Sequence, residues 1–281
     1  MNINEIKKCT CKIETKNWGE GTGFFCIISN NQKELKVLIT NNHILEKLSI
    51  LPYNRIKLSL NNGNICKNIL IDKSRKIYTH SGYDITIVEI KESDGLNEDL
   101  FLKLYNGINN DIDNIIKEKK DIYLLYYAMG IKELKKSDGF IKAINKDNSK
   151  IEHFCYCDVG AGGGPLICSY NNKVIGIHKG KEVGQNWNLG TLLEEPIKEF
   201  FKEYEVFLKS DNLNNNSDKS KNIKYNKKTY NNKFNNNKLN FHIYDYDFNK
   251  YYNENNNYNK KYIIIVIIFI FFFFLKKKLF G

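Results

Sequence analysis

The chain has 281 residues and a net charge of +11, with 42% hydrophobic and 27% charged residues. This composition predicts one large folded domain or two small ones, and excludes a wholly disordered or collagen-like chain. The basic charge is concentrated at one end, since residues 206–281 hold 14 of the 43 basic residues and 5 of the 32 acidic ones. The remainder is close to neutral and gives no reason to expect a nucleic-acid groove.

Short apolar runs separated by turn residues dominate residues 1–209, a pattern typical of an all-β sandwich or barrel. At this length two small barrels fit better than one. The runs are Gly23–Ser29, Leu35–Thr40, Ile56–Leu60, Ile85–Ile90, Ile122–Ala128, Gly139–Ile144, Pro165–Ser169, Val174–His178 and Leu189–Leu193.

A helix is predicted over residues 195–208, after the last apolar run. Pro196 suits a first helical position, and acidic residues beside it favour the N-terminal end of the helix dipole. The apolar residues then follow helical spacing and should pack on the β domain. They are Ile197, Phe200, Phe201, Tyr204 and Leu208.

The C-terminal quarter differs in composition. Residues 210–261 are rich in Asn and Lys and predict a disordered linker, because they cannot bury enough apolar surface to offset their ordering entropy. Residues 262–275 form an apolar run that predicts a membrane anchor, with the domain facing the cytoplasm. As a helix the run spans about 21 Å, less than the ~30 Å hydrocarbon core. An interfacial segment is therefore the open alternative.

Seven cysteines and an N-terminus without an apolar run predict reduced thiols rather than a disulfide framework. The pairs Cys9/Cys11 and Cys155/Cys157 each enclose one residue, whereas structural zinc sites usually enclose two to four. We therefore predict no metal site, although zinc held by both pairs remains an alternative. No P-loop or dinucleotide fingerprint occurs, so no cofactor is predicted.

Four local motifs follow one another along residues 1–209. The chain reads Gly21-Thr22-Gly23-Phe24-Phe25, then Thr40-Asn41-Asn42-His43, then Tyr83-Asp84-Ile85-Thr86-Ile87-Val88, then Gly160-Ala161-Gly162-Gly163-Gly164-Pro165-Leu166. Val174-Ile175-Gly176-Ile177-His178 follows.

This order resembles the trypsin-like (chymotrypsin-fold) serine peptidases across roughly residues 10–208, and within them the glutamyl-endopeptidase-like branch. The resemblance implies two antiparallel six-stranded β-barrels near 10–95 and 118–193, bridged by 96–117, with a cleft between them. It also implies a peptide or protein as substrate or ligand.

The resemblance assigns His43 as general base, Asp84 as the group that orients it, and the N–H groups of Gly160 and Gly162 as the oxyanion hole. The nucleophile position falls on Gly162, where the family has serine. Ala161 stands where the family has an Asp or another small polar residue. Because glycine has no side chain, we predict a homologue without hydrolytic activity that binds peptides.

An active endopeptidase with an unconventional nucleophile is the alternative. Cys155, Cys157 and Cys168 lie near position 162 in the sequence, but relatives that use cysteine place the thiol at the serine position itself. A third possibility is an interaction protein whose tail carries the function.

The resemblance also suggests a specificity pocket. His178 falls where glutamyl endopeptidases bind an acidic side chain, so an active enzyme would be expected to prefer acidic residues. Tyr156 falls near the base of the pocket and would narrow it. His153 is read as a strand or loop residue without a role.

Overall fold

In a computed structural model of the chain, the described residues are 1–15, 19–30, 33–45, 54–104 and 121–219. They form two α-helices, α1 (Ile3–Lys8) and α2 (Glu194–Lys219), and fourteen strands. The strands are β1 (Thr10–Thr15), β2 (Gly19–Ser29), β3 (Glu34–Thr40), β4 (Arg55–Leu60), β5 (Ile65–Leu70), β6 (Ile77–His80), β7 (Ile85–Glu89), β8 (Leu102–Lys103), β9 (Asp121–Tyr127), β10 (Leu134–Asn145), β11 (Lys150–His153), β12 (Pro165–Cys168), β13 (Val174–Lys181) and β14 (Asn188–Leu192).

The first eight strands form one sheet in the order β5-β4-β1-β2-β3-β7-β6, with β8 added alongside β2. Its two end strands, β5 and β6, do not pair with each other in the described part of the chain, so this half is a half-barrel. The central strands β2 and β3 pair antiparallel from Gly23↔Thr40 to Ser29↔Glu34. Residues buried on these strands, such as Phe24, belong to the core that β9 and α2 also contact.

The last six strands close into a barrel in the order β10-β11-β14-β13-β12-β9. The prediction of an all-β double barrel followed by a helix is therefore confirmed, with one barrel closed and the other half closed. Residues 105–120, which contain most of the predicted bridge between the barrels, lie outside the described residues.

Helix α2 begins at Glu194 and packs on the β core through the predicted apolar stripe. Ile197, Phe200, Phe201 and Tyr204 are buried, whereas Leu208 is exposed. The helix continues to Lys219, so it extends beyond the predicted end at 208 and into the range predicted as a linker. The remainder of that linker and the predicted anchor at 262–275 lie outside the described residues. No helix among those described is both long and apolar enough to cross a membrane.

Candidate functional site

His43 and Asp84 lie close together because His43 follows β3 and Asp84 precedes β7, and these two strands are neighbours. His43 follows β3 by three residues and Asp84 immediately precedes β7, and these two strands are paired at Thr40↔Thr86. His43 Nδ1 lies 2.8 Å from Asp84 Oδ2, and the backbone N–H of His43 donates to Asp84 Oδ1 at 3.0 Å. The buried carboxylate thus holds the imidazole with a proton on Nδ1, which leaves Nε2 as the free ring nitrogen.

Asp84 is held in an uncommon backbone conformation. Its φ of +53° is in the left-handed region, which Asp tolerates better than most residues. Asn41 Nδ2 donates to the Asp84 carbonyl at 2.9 Å, and Thr191 Oγ1 donates to the Tyr83 carbonyl at 2.6 Å. These contacts from other elements fix the peptide units on both sides of Asp84. The role of Asn41 was not predicted, although it lies two residues before His43.

The loop between β11 and β12 presents two unpaired backbone N–H groups. Val159 C=O accepts from the Met129 N–H at 2.7 Å, and Ala161 C=O accepts from the Gly164 N–H at 3.0 Å. In a trans peptide the N–H points opposite to the C=O, so the N–H groups of Gly160 and Gly162 point away from those partners. Neither donates to an atom of the described residues. Both groups could therefore donate to a bound ligand, and the oxyanion hole predicted from the resemblance stays a prediction.

Thr22 explains why the GTGF motif and the glycine loop occur together. Its N–H donates to Gly162 C=O at 2.9 Å, and its hydroxyl donates to Gly160 C=O at 3.1 Å. The same hydroxyl accepts from the Tyr127 N–H at 2.9 Å. One residue of β2 thus holds the carbonyls of both glycines and fixes the orientation of the loop.

Gly162 faces His43 where a nucleophile would be needed. A Cβ at Gly162 would lie 3.0 Å from His43 Nε2 and 3.1 Å from Asn41 Oδ1. A side chain at this position would therefore point at the free nitrogen of the dyad. Asn41 Oδ1 is buried and has no hydrogen-bond partner among the described residues. The arrangement brings together the His43 ring, the Asp84 carboxylate and the loop of Gly160 and Gly162, and position 162 carries no side chain.

An open pocket of about 510 Å³ lies beside this site, within the size range of ligand pockets. Its lining includes His43, Gly160, Gly162, Tyr156, Cys157, Asp158, His178, Lys179 and Lys181. Tyr156 is 69% exposed and its hydroxyl donates to Asp158 Oδ1 at 3.1 Å. Its side chain therefore lies at the rim of the pocket rather than across its base.

His178 is buried and is held by His153, which sequence reasoning left without a role. The Cys155 N–H donates to His153 Nδ1 at 3.2 Å, and His153 Nε2 lies 3.1 Å from His178 Nδ1. Because His153 Nδ1 accepts, its proton is on Nε2 and is donated to His178 Nδ1. The neutral His178 ring consequently carries its proton on Nε2.

Burial keeps this histidine pair uncharged. It lowers the pKa of His153 to about 4, and burial together with the nearby His153 and His43 lowers the pKa of His178 to about 3. The pair therefore presents a neutral ring to the pocket at pH 7. The role of His153 was not predicted, because the residue lies far from His178 in the sequence.

Two cysteines near the site, Cys155 and Cys157, are not activated. Burial raises the pKa of Cys155 to about 12, and burial followed by the charge of Asp158 raises the pKa of Cys157. A nucleophilic cysteine needs the opposite shift. The described residues contain no group of three or more His, Cys, Asp or Glu arranged to hold a metal ion.

The comparisons with known proteins support the fold of this chain and do not identify its activity. No protein-family profile matches the sequence, and no curated protein matches it. Among solved structures, the serine endoprotease from Yersinia pestis aligns with 71% of this chain and 64% of its own, at 13% identity and a TM-score of 0.50. The inactive form of the M. tuberculosis Rv3671c protease covers 71% of this chain and 91% of its own, at 17% identity and a TM-score of 0.49. A serine-to-alanine mutant of that protein gives 16% identity, the same TM-score of 0.49, and coverage of 71% and 88%.

The fold of this chain is therefore that of the chymotrypsin-like serine proteases. At such low identity the structural similarity supports the architecture only. The chemistry has to be argued from the residues of the site.

Proposed function

We propose that this protein is a serine-peptidase homologue without proteolytic activity, whose cleft binds a peptide or protein segment. One observation carries the proposal: Gly162 faces an assembled His43–Asp84 dyad, with a Cβ position 3.0 Å from His43 Nε2. The dyad can accept a proton, but the serine hydroxyl that would supply it and attack a carbonyl is missing. A site without its nucleophile retains only the catalysis due to binding and oxyanion stabilisation.

A displaced cysteine is a poor substitute. The raised pKa values of Cys155 and Cys157 keep both thiols protonated at neutral pH. This argues against the active-endopeptidase alternative.

The pocket retains the features that binding requires. The Gly160 and Gly162 N–H groups can hold a carbonyl oxygen, and the ring of His178 lines the same pocket. A bound peptide would therefore be oriented as in a peptidase and would not be acylated.

One protein sample and one peptide library test both binding and cleavage. The full chain in detergent micelles is incubated with a fluorescent peptide library, and binding is followed by anisotropy and cleavage by mass spectrometry. We expect binding without cleavage in the wild type. Cleavage that disappears in His43→Ala would overturn the proposal, because it would require a working base and a nucleophile.

We further propose that residues 262–275 anchor the protein to a membrane, with the domain on the cytoplasmic side. The part of the predicted linker that follows α2, about 42 residues, would have a root-mean-square reach of roughly 35 Å as a random coil, so the cleft would sample targets near the membrane. Carbonate extraction of the full chain tests the anchor, and deletion of 262–281 should abolish membrane association whereas deletion of 220–261 should not. Release of the full chain by carbonate would exclude a spanning anchor.

A further inference from the structure

We propose that the cleft recognises the free C-terminus of a peptide, with its α-carboxylate bound beside Gly162. One carboxylate oxygen would accept from the Gly160 and Gly162 N–H groups, and the other would face His43 Nε2. This inference rests on the proposed peptide-binding function and specifies the ligand of that site.

The first carboxylate oxygen has two donors prepared for it. The Gly160 and Gly162 N–H groups point away from the carbonyls that Met129 and Gly164 engage, and Thr22 holds the carbonyls of both glycines. The donors are therefore oriented before a ligand arrives. Hydrogen bonds from backbone N–H groups to an ionised oxygen are about twice as strong as those to a neutral one, so the same pair favours a carboxylate over an amide carbonyl.

The second carboxylate oxygen has room because position 162 is glycine. With serine there, the side chain would extend from a Cβ only 3.0 Å from His43 Nε2, and its oxygen would occupy the space between the ring and a bound carbonyl carbon. Glycine removes that bulk, which leaves the nucleophile position open to the second carboxylate oxygen.

The His43 ring faces the second carboxylate oxygen. Asp84 holds its Nδ1, so Nε2 is the ring atom directed at the ligand. The protonated ring would donate from Nε2 to that oxygen while Nδ1 remains paired with Asp84.

The charged groups around the pocket favour an anion as a whole. Lys179 and Lys181 line it, and the carboxylate of Asp158 is engaged by Lys135 at 2.7 Å and by the hydroxyl of Tyr126 at 3.1 Å. His178 is neutral, and Asp84 lies on the far side of the His43 ring. Asn41 Oδ1 is buried and lies 3.1 Å from the position that a Cβ at Gly162 would take.

The test compares two forms of one ligand. A fluorescent peptide mixture with a randomised last residue is prepared as free acids and as C-terminal amides, and its affinity for the full chain in detergent micelles is measured by anisotropy. We expect the acids to bind at least about 10-fold more tightly than the amides.

Two variants test whether the preference for free acids over amides arises at Gly162 and His43. Gly162→Ser and His43→Gln should each remove the advantage of the acids over the amides. Val183→Ala, at a side chain that is 93% exposed and outside the pocket, should change neither affinity. Equal affinities for acids and amides in the wild type would overturn this inference and leave the proposed function intact, whereas failure to bind either form would overturn both.

Discussion

A Cβ on Gly162 would lie 3.0 Å from His43 Nε2, so a side chain at position 162 would point at the ring nitrogen that Asp84 leaves free. The inactivity that we propose would thus require only one missing side chain. The surrounding hydrogen bonds of His43, Asp84 and the glycine loop are all formed.

Gly162→Ser is therefore expected to restore a reactive serine. We expect a fluorophosphonate probe to label this variant and to leave the wild type and Gly162→Ala unlabelled. Labelling should be slower than in an evolved peptidase, because the added Cβ lies 3.1 Å from Asn41 Oδ1 and 3.0 Å from His43 Nε2, so these groups must shift by a few tenths of an ångström. Labelling of Gly162→Ala would show that the probe reacts elsewhere.

Asp84 should increase the reactivity of the introduced serine by orienting the His43 ring. In the Gly162→Ser background, Asp84→Asn is expected to lower the rate of labelling by about 10³–10⁴-fold, since an amide cannot stabilise the imidazolium or hold the same tautomer. Asn is the suitable replacement because it also tolerates the left-handed φ of +53°, so folding should be retained. An unchanged labelling rate would contradict the role assigned to the dyad.

The order of the motifs was sufficient to predict the dyad and the glycine loop, because those residues end or begin strands whose pairing follows from the fold. Asn41 and His153 could not be predicted, since their contacts depend on side-chain packing between segments far apart in sequence. Strand β5 was also missed, because it is the exposed end strand of its sheet and its residues, such as Cys66, show little apolar alternation.

The buried histidine pair should make the protein sensitive to mild acid. The pKa of His153 is lowered to about 4 and that of His178 to about 3 in the folded state, against about 6.5 when unfolded. Between these values the unfolded state binds more protons, so the stabilisation is complete above about pH 6.5 and is lost as the pH falls. We expect the free energy of unfolding to decrease by about 2–4 kcal/mol between pH 7 and 5.

Urea unfolding at several pH values measures this decrease, with His178→Gln as the matched variant. The variant removes one titrating group, so its stability should vary about half as steeply with pH over this range. If the free energy of unfolding varied equally with pH in the wild type and the variant, the acid sensitivity would arise from groups other than His178.

The last prediction concerns Gly163, the neighbour of the nucleophile position. Its φ is +85°, and a Cβ there would lie 1.8 Å from the carbonyl oxygen of Thr22 and 2.7 Å from Thr40 Oγ1. Because backbone atoms of β2 cannot move aside, Gly163→Ala should cost more than about 3 kcal/mol or prevent folding. Gly180→Ala is the matched control, since a Cβ at Gly180 meets no atom within 4 Å; it should change stability by less than about 0.5 kcal/mol. Thermal or urea unfolding compares the two, and a Gly163→Ala protein as stable as Gly180→Ala would show that the loop does not approach β2 as closely as described.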